Sequence, residues 1–287
     1  MTVPPITASI PTQRRRASGR ATRVGIAVCL VVVAWYAVAA VFPGLLAPGN
    51  PLAINPAEAY RAPSLTHVFG TDESGRDIYT RVVHGAGRSL TIGVLATVIG
   101  LVLGTLLALV AAFGGRVGDW LSTRLTETLY ALPGILLALL LLSLTGPGVV
   151  PATIAVGLST APGYARMLRS QLLRVRASGY VEADRILGRG PLRRLWHTIL
   201  PNAFAPLFAL ATLGVGQAVV WAAALSYLGL GDPPPSAEWG AMLNAGATYL
   251  PAGGWWMSVF PGAAIAVVAV TGTLLGRFVE AEARRSR

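Results

Sequence analysis

The sequence predicts an all-α, polytopic membrane protein with six transmembrane helices, and three observations carry that prediction. Of 287 residues, 54% are hydrophobic and only 12% are charged, about half the charged share of an ordinary soluble domain. Five windows, 24–57, 89–115, 128–165, 195–231 and 239–276, contain no Asp, Glu or Arg, and each can supply the roughly 20 residues that cross a bilayer. The 23 basic residues are all arginines and sit in clusters between these windows, as they do when they orient a multi-pass chain. The net charge of +11 therefore points to a membrane and not to nucleic acid. Cys29, the single cysteine, lies in an apolar run and reads as a small hydrophobe, so no disulfide framework or thiolate metal cluster is expected.

The elements follow in order. Residues 1–23 read as a disordered basic tail on the cytoplasmic side. The first span, 24–46, follows Arg14-Arg15-Arg16 like the core of a secretory signal. It exceeds the roughly 7 to 15 apolar residues of such a core and reads as a retained helix. Residues 47–89 form an external loop, and 90–113 the second span. The window 128–165 is too long for one helix and is broken by Thr145-Gly146-Pro147-Gly148, giving a hairpin of spans 126–144 and 149–168. Pro133-Gly134 should bend the first arm. Spans 203–229 and 255–276 complete a core over 90–276, with an internal loop at 166–201 and a basic tail at 277–287. Gly93, Gly100, Gly104 and Gly214 are expected to let helices pack closely.

Orientation follows from the arginines. Six spans put both termini on one side, which collects 19 of the 23 arginines. The positive-inside rule makes that side the cytoplasm.

Two loops are too patterned to be plain connectors. In the internal one, residues 178–188 read as a short helix with Glu182 near its start and Gly188 closing it in the left-handed conformation. A second short helix begins at Pro191, runs to Leu200 and stops at Pro201. The resulting elbow offers Ala183, Ile186 and Leu187 to a groove on a partner protein. Eight arginines between Arg166 and Arg194 equally suit a basic hairpin lying on anionic lipid. Glu182 and Asp184 favour the protein partner.

These residues carry a resemblance. Glu182-Ala183-Asp184, three residues, Gly188, nine residues, then Thr198-Ile199-Leu200-Pro201 resembles the EAA loop of bacterial ABC importer permeases, E-A-A, three residues, G, nine residues, I-x-L-P. Asp184 departs from the second alanine, and Thr198 from the usual isoleucine. Phe69-Gly70-Thr71-Asp72-Glu73-Ser74-Gly75-Arg76-Asp77-Ile78, with Arg81 and Arg88-Ser89-Leu90, is similar to the segment before the second span of C-type permeases in the dipeptide/oligopeptide/nickel group. Ser226 to Gly231 and Pro235 to Gly240 fit the same group. The resemblance implies a type I ABC importer permease fold in the inner membrane of a bacterium. It also implies a homologous B-type permease, two ABC ATPase subunits or domains, and an extracytoplasmic substrate-binding protein as partners. This chain has no G-x-x-x-x-G-K-[ST] loop, so ATP and Mg belong to the ATPases and the chain itself is not an enzyme. Glu182, Ala183, Asp184, Ile186, Leu187, Gly188, Ile199, Leu200 and Pro201 are then the ATPase-coupling residues. Di- or oligopeptides are the expected cargo, with a nickel chelate or another small solute as the alternative.

Outside the membrane, Asp72, Arg76, Asp77, Glu238 and Trp239 are candidates for docking the binding protein, while Trp255 and Trp256 read as membrane anchors. Asp72, Glu73 and Asp77 lack the ligand spacing of an EF-hand loop, and no metal site is expected. Within the bundle, Ser143, Thr153, Ser159, Thr212 and Ser226 are pathway candidates that equally suit interhelical hydrogen bonding. Gln217, Trp221, Asn202 and Glu127 are the favoured pathway candidates. An intramembrane hydrolase lacks a base, because His67, His84 and His197 all fall in loops. A channel or secondary carrier should carry broken spans or buried charge at the membrane centre; no acid or arginine lies at mid-span, and the EAA spacing also speaks against this rival.

Overall fold

A computed structural model describes residues 14–204 and 207–285. Among them the elements are helical, with one isolated antiparallel bridge between Thr71 and Asp77. α1 (Arg14–Val41) begins within the segment expected to be a disordered tail; residues 1–13, and 286–287 of the C-terminal tail, lie outside the described residues. Pro43 cannot continue the α1 ladder and instead opens the short α2 (Pro43–Leu46).

α3 (Ile78–Phe113) is 36 residues long, about 54 Å at 1.5 Å per residue. It starts at Ile78, well before residue 90, because Asp77 caps it by accepting a hydrogen bond from the Thr80 amide at 2.8 Å. Arg81 belongs to its first turn, where it is buried and donates to the Ser236 carbonyl at 2.8 Å. A search for charge-free windows cannot see a helix whose first turns bury an arginine.

The third span is two helices. α4 (Gly115–Tyr130) and α5 (Gly134–Thr145) meet at 90°, a break at Pro133-Gly134 much sharper than a bend. The glycine is needed there, since a Cβ on Gly134 would lie 2.2 Å from the Trp221 ring. The 12 residues of α5 span only about 18 Å, less than the roughly 30 Å of hydrocarbon.

α6 (Val149–Arg176) follows the Gly146 to Gly148 turn and runs beyond residue 168 to the elbow. The elbow comprises α7 (Gly179–Ile186), α8 (Pro191–Arg194), a π turn over Leu195–Ile199 and α9 (Leu200–Phe204). α10 (Leu207–Tyr227) and α12 (Trp256–Arg285) are the last two long helices. Between them, α11 (Trp239–Ala247) occupies what reads in the sequence as a loop. Parts of α1, α3, α10 and α12 are long and apolar enough to cross a membrane, four where the sequence predicts six, and α4 with α5 would add a fifth only if the bent pair is counted as one span. α6 is the sixth helix of the bundle, less apolar because it carries hydroxyls, Pro162 and four arginines.

The core is layered along α3. A layer toward the Ile78 end of α3, labelled outer, joins Val83, Trp239 and Met257, a middle layer Ile92, Ala96, Val156 and Ala222, and a layer toward its Phe113 end, labelled inner, Ala108, Leu168, Leu172 and Leu200. Between α3 and α6 the approach is set by glycines, as the sequence suggests for Gly100 and Gly104. A Cβ on Gly104 would meet the Tyr164 Cβ at 2.6 Å and the Ala161 carbonyl at 2.9 Å; one on Gly100 would meet the Thr160 hydroxyl at 2.4 Å. Gly44 has nothing within 4 Å. Gly104→Ala should therefore destabilise the chain by about 1–3 kcal/mol through overpacking, while Gly44→Ala leaves it near wild type. Thermal unfolding in mild detergent checks this, and equal midpoints for the two variants would contradict the packing assigned to α3 and α6.

Candidate coupling elbow and outer cap

The elbow grows directly from the end of α6. Glu182 lies in the first turn of α7, where an anion meets the positive end of the helix. The chain turns at Gly188, φ +71°, after which the Arg189 amide donates to the Asp184 carbonyl at 3.0 Å. That is the left-handed closure the sequence implies. Pro191 opens α8, and in the π turn the Leu200 amide reaches back to the Leu195 carbonyl. The helix does not stop at Pro201. It runs on from the π turn through Pro201 as α9.

The expected coupling residues divide by direction. Ile186 and Leu187 are 80% and 72% exposed, and Glu182, Ala183, Gly188 and Pro201 are exposed with them. Leu192 and Trp196, which the sequence reading did not single out, add to this apolar tip. Ile199 and Leu200 turn inward and pack in the inner layer with Leu168 and Leu172. Asp184 is 6% exposed and also faces inward, so it offers nothing to a partner. Between the elbow and the end of α3 lies a cleft of about 510 Å³ lined by Phe113, Arg176, Glu182, Arg185 and Arg194.

On the other side the docking candidates are largely interior. Glu238 is 2% exposed and caps α11, accepting from the Gly240 and Ala241 amides at 2.9 and 2.8 Å and from the Ser89 hydroxyl at 3.3 Å. Trp239 is fully buried and donates its indole N–H to the Val82 carbonyl at 2.9 Å. Neither presents a docking surface. Trp256 is buried too, donating to the Thr71 carbonyl at 3.0 Å, whereas Trp255 is exposed. Glu238 caps α11 through local amides, but nothing local reveals that it and Trp239 are buried, because Ser89 and Val82 lie about 150 residues away.

Asp72 folds the loop around itself. Its Oδ1 accepts from the Ser74 and Arg76 amides at 2.9 and 2.8 Å, and its Oδ2 faces Arg76 at 3.4 Å and Arg81 at 3.7 Å. Gly75, φ +75°, lets the turn close, since a Cβ there would strike the Asn55 carbonyl at 1.8 Å. His67 sits between Asp77 at 3.0 Å and Glu58 at 3.2 Å. Asp72, Arg76 and Asp77 thus build the cap.

Among the pathway candidates, Ser143, Thr153, Ser159 and Thr212 donate to carbonyls three or four residues back in their own helices. These hydroxyls are satisfied within their own helices. Trp221 packs on Gly134 at the break, and the Asn202 amide donates to the Thr198 carbonyl at 2.7 Å. Glu127 is exposed, 3.9 Å from Arg124, at a cleft of about 220 Å³ shared with Arg166 and Arg169. Gln217 is exposed on α10.

The sequence profile of the family described as the binding-protein-dependent transport system inner membrane component matches residues 91–285. The chain belongs to this family. This inner membrane component is 37% identical over 247 residues to the dipeptide transport system permease protein DppC of Alkalihalophilus pseudofirmus, covering 86% of this chain and 81% of the relative. It is 40% identical over 209 residues to the di/tripeptide transport system permease protein DppC of Pseudomonas aeruginosa, covering 73% and 69%. In fold it matches an inward-facing conformation of the MetNI methionine ABC transporter with a TM-score of 0.57 at 20% identity, covering 71% of this chain and 97% of that one. The chain is thus a permease component with a type I ABC importer fold.

His67 makes the cap sensitive to pH. Its hydrogen bond to Asp77, helped by that to Glu58 and opposed by burial, raises its pKa above the ordinary 6.5. A raised histidine pKa stabilises the fold fully below the unfolded value of 6.5, and that contribution fades as pH climbs through the folded value. The unfolding midpoint of the wild type should therefore fall more steeply above pH 6.5 than that of His67→Gln. Parallel profiles would show that His67 contributes no such linkage.

Proposed function

We propose that this permease is one membrane subunit of an ATP-driven importer of short peptides. In this reading it pairs with a second, homologous permease, is driven by two cytoplasmic ATPase subunits or domains that bind ATP and Mg, and receives cargo from an extracytoplasmic binding protein. Both termini face the cytoplasm, in keeping with the 19 arginines on that side. The observation that carries the proposal is the exposed apolar tip at Ile186 and Leu187 on the Glu182 to Pro201 pattern. Large apolar side chains beside charge on a short rigid helix fit insertion into a groove on a partner. The chain has no lysine and hence no phosphate-binding loop of its own, so the nucleotide acts through the contact at this tip.

Mechanically, closure of the ATPases moves the elbow, and α6 and α9 at its two ends carry that motion into the bundle. Nucleotide shifts the balance between inward- and outward-open states only as far as it contacts them differently. Gln217, on the open side of α10 with no side-chain hydrogen bond among the described residues, faces the shared pathway or the second permease, since an unpaired amide is costly in hydrocarbon. Peptide as cargo follows the names of the relatives.

Two outcomes test this. Leu187→Asp should lower the ATPase recovered with the tagged chain, and the peptide-stimulated ATP hydrolysis, by about tenfold or more, the effect of placing a charge in a desolvated contact. Proteoliposomes holding the complete complex and its binding protein should accumulate labelled dipeptide only with ATP inside. Normal ATPase recovery in the variant would refute the coupling role of the tip, and accumulation of a nickel chelate but no dipeptide would refute the cargo.

A further inference from the structure

The two positions at which the elbow departs from the E-A-A…I-x-L-P pattern are 184 and 198, fourteen residues apart. In the structure they touch: the Thr198 hydroxyl donates to Asp184 Oδ2. Asp184 Oδ1 accepts from the Arg189 guanidinium at 2.7 Å, and the Asp184 carbonyl accepts from the Arg189 amide at 3.0 Å. One buried carboxylate thus ties together α7, the turn at Gly188 and the π turn that leads into α9.

We infer that Asp184 and Thr198 are a matched pair of positioning residues that fix the angle between the two arms of the elbow, with Arg189 neutralising the charge between them. The inference rests on the coupling role proposed above. A buried carboxylate is tolerated only when its oxygens are occupied, so Asp184 requires Thr198 and Arg189. Thr198 reaches it from within the π turn, which adds one residue to the helical repeat. Ile199 takes the buried apolar position directly after it. Replacing either partner alone strands the other, whereas replacing both by apolar residues leaves a plain hydrophobic contact between the arms.

The test is a double-mutant cycle on the complete complex with its ATPases: Asp184→Ala, Thr198→Val and the pair together, with Thr198→Ser as the conservative variant. The readout is solute transported per ATP hydrolysed, which a general loss of folded protein does not change. Each single variant should lower this ratio by about tenfold, in line with loss of one charged hydrogen bond, while T198S stays near wild type and the double variant recovers most of the loss. Losses that simply multiply in the double variant would overturn the inference. If the wild-type preparation contains no ATPase, it is the importer reading that fails, and the clasp is then read by amide exchange over residues 185–190 of the isolated chain. Exchange faster by about tenfold in T198V but not in T198S supports the clasp; unchanged exchange in T198V refutes it.

Discussion

The structure depends above all on the contact between α3 and α6. In hydrocarbon no hydrophobic force drives two helices together, so association rests on close packing of small residues. Gly100, Gly104 and Gly157 provide it, each backing directly onto backbone or side-chain atoms of the opposite helix. This contact joins the two ends of the molecule. α3 begins in the outer cap at the Asp77 capping site, and α6 ends in the elbow. The Arg176 guanidinium then ties the inner ends together by donating to the Ala112 carbonyl at 2.8 Å.

Two polar assemblies hang from this spine and differ in their surfaces. The outer cap spends its polar groups on itself: Asp72 on Arg76 and Arg81, Glu238 on the first amides of α11 and on Ser89, and Trp239 on Val82. It fixes how α3, α11 and the start of α12 meet. The elbow is polar within and apolar outside, with Asp184 satisfied inward while Ile186, Leu187, Leu192 and Trp196 face out. A soluble helix hairpin would bury those side chains; in the function proposed above a partner's groove covers them.

What the sequence made legible follows from the range of the interactions involved. The hairpin at Gly146 to Gly148, the left-handed Gly188 and Pro191 at the start of α8 depend on a few adjacent residues and stand where expected. The break at Pro133-Gly134 was legible as a bend, but not its right angle, nor the close approach of Gly134 to Trp221 on another helix. The start of α3 at Ile78 was hidden because Arg81 looks like a loop residue until Asp72 and the Ser236 carbonyl receive it. Glu238 and Trp239 looked like surface for the same reason, their partners lying on a helix far away in the chain. In the elbow, the motif located the site but not its two faces: it grouped Asp184 with Ile186 and Leu187, and only the bond to Thr198 shows that Asp184 points the other way.

The central claim is that the elbow moves as one stiff body between the ATPases and the bundle. Because Cys29 is the only cysteine and is buried, spin labels can be placed by Tyr180→Cys and Trp196→Cys within the elbow, and by Trp196→Cys and Leu65→Cys between elbow and cap. Pulsed dipolar spectroscopy on the assembled complex, nucleotide-free and nucleotide-trapped, measures both distances. The account predicts a narrow Tyr180 to Trp196 distance that is the same in both states, with a Trp196 to Leu65 distance that shifts. A distance that broadens or shifts inside the elbow while the elbow-to-cap distance stays fixed would contradict it.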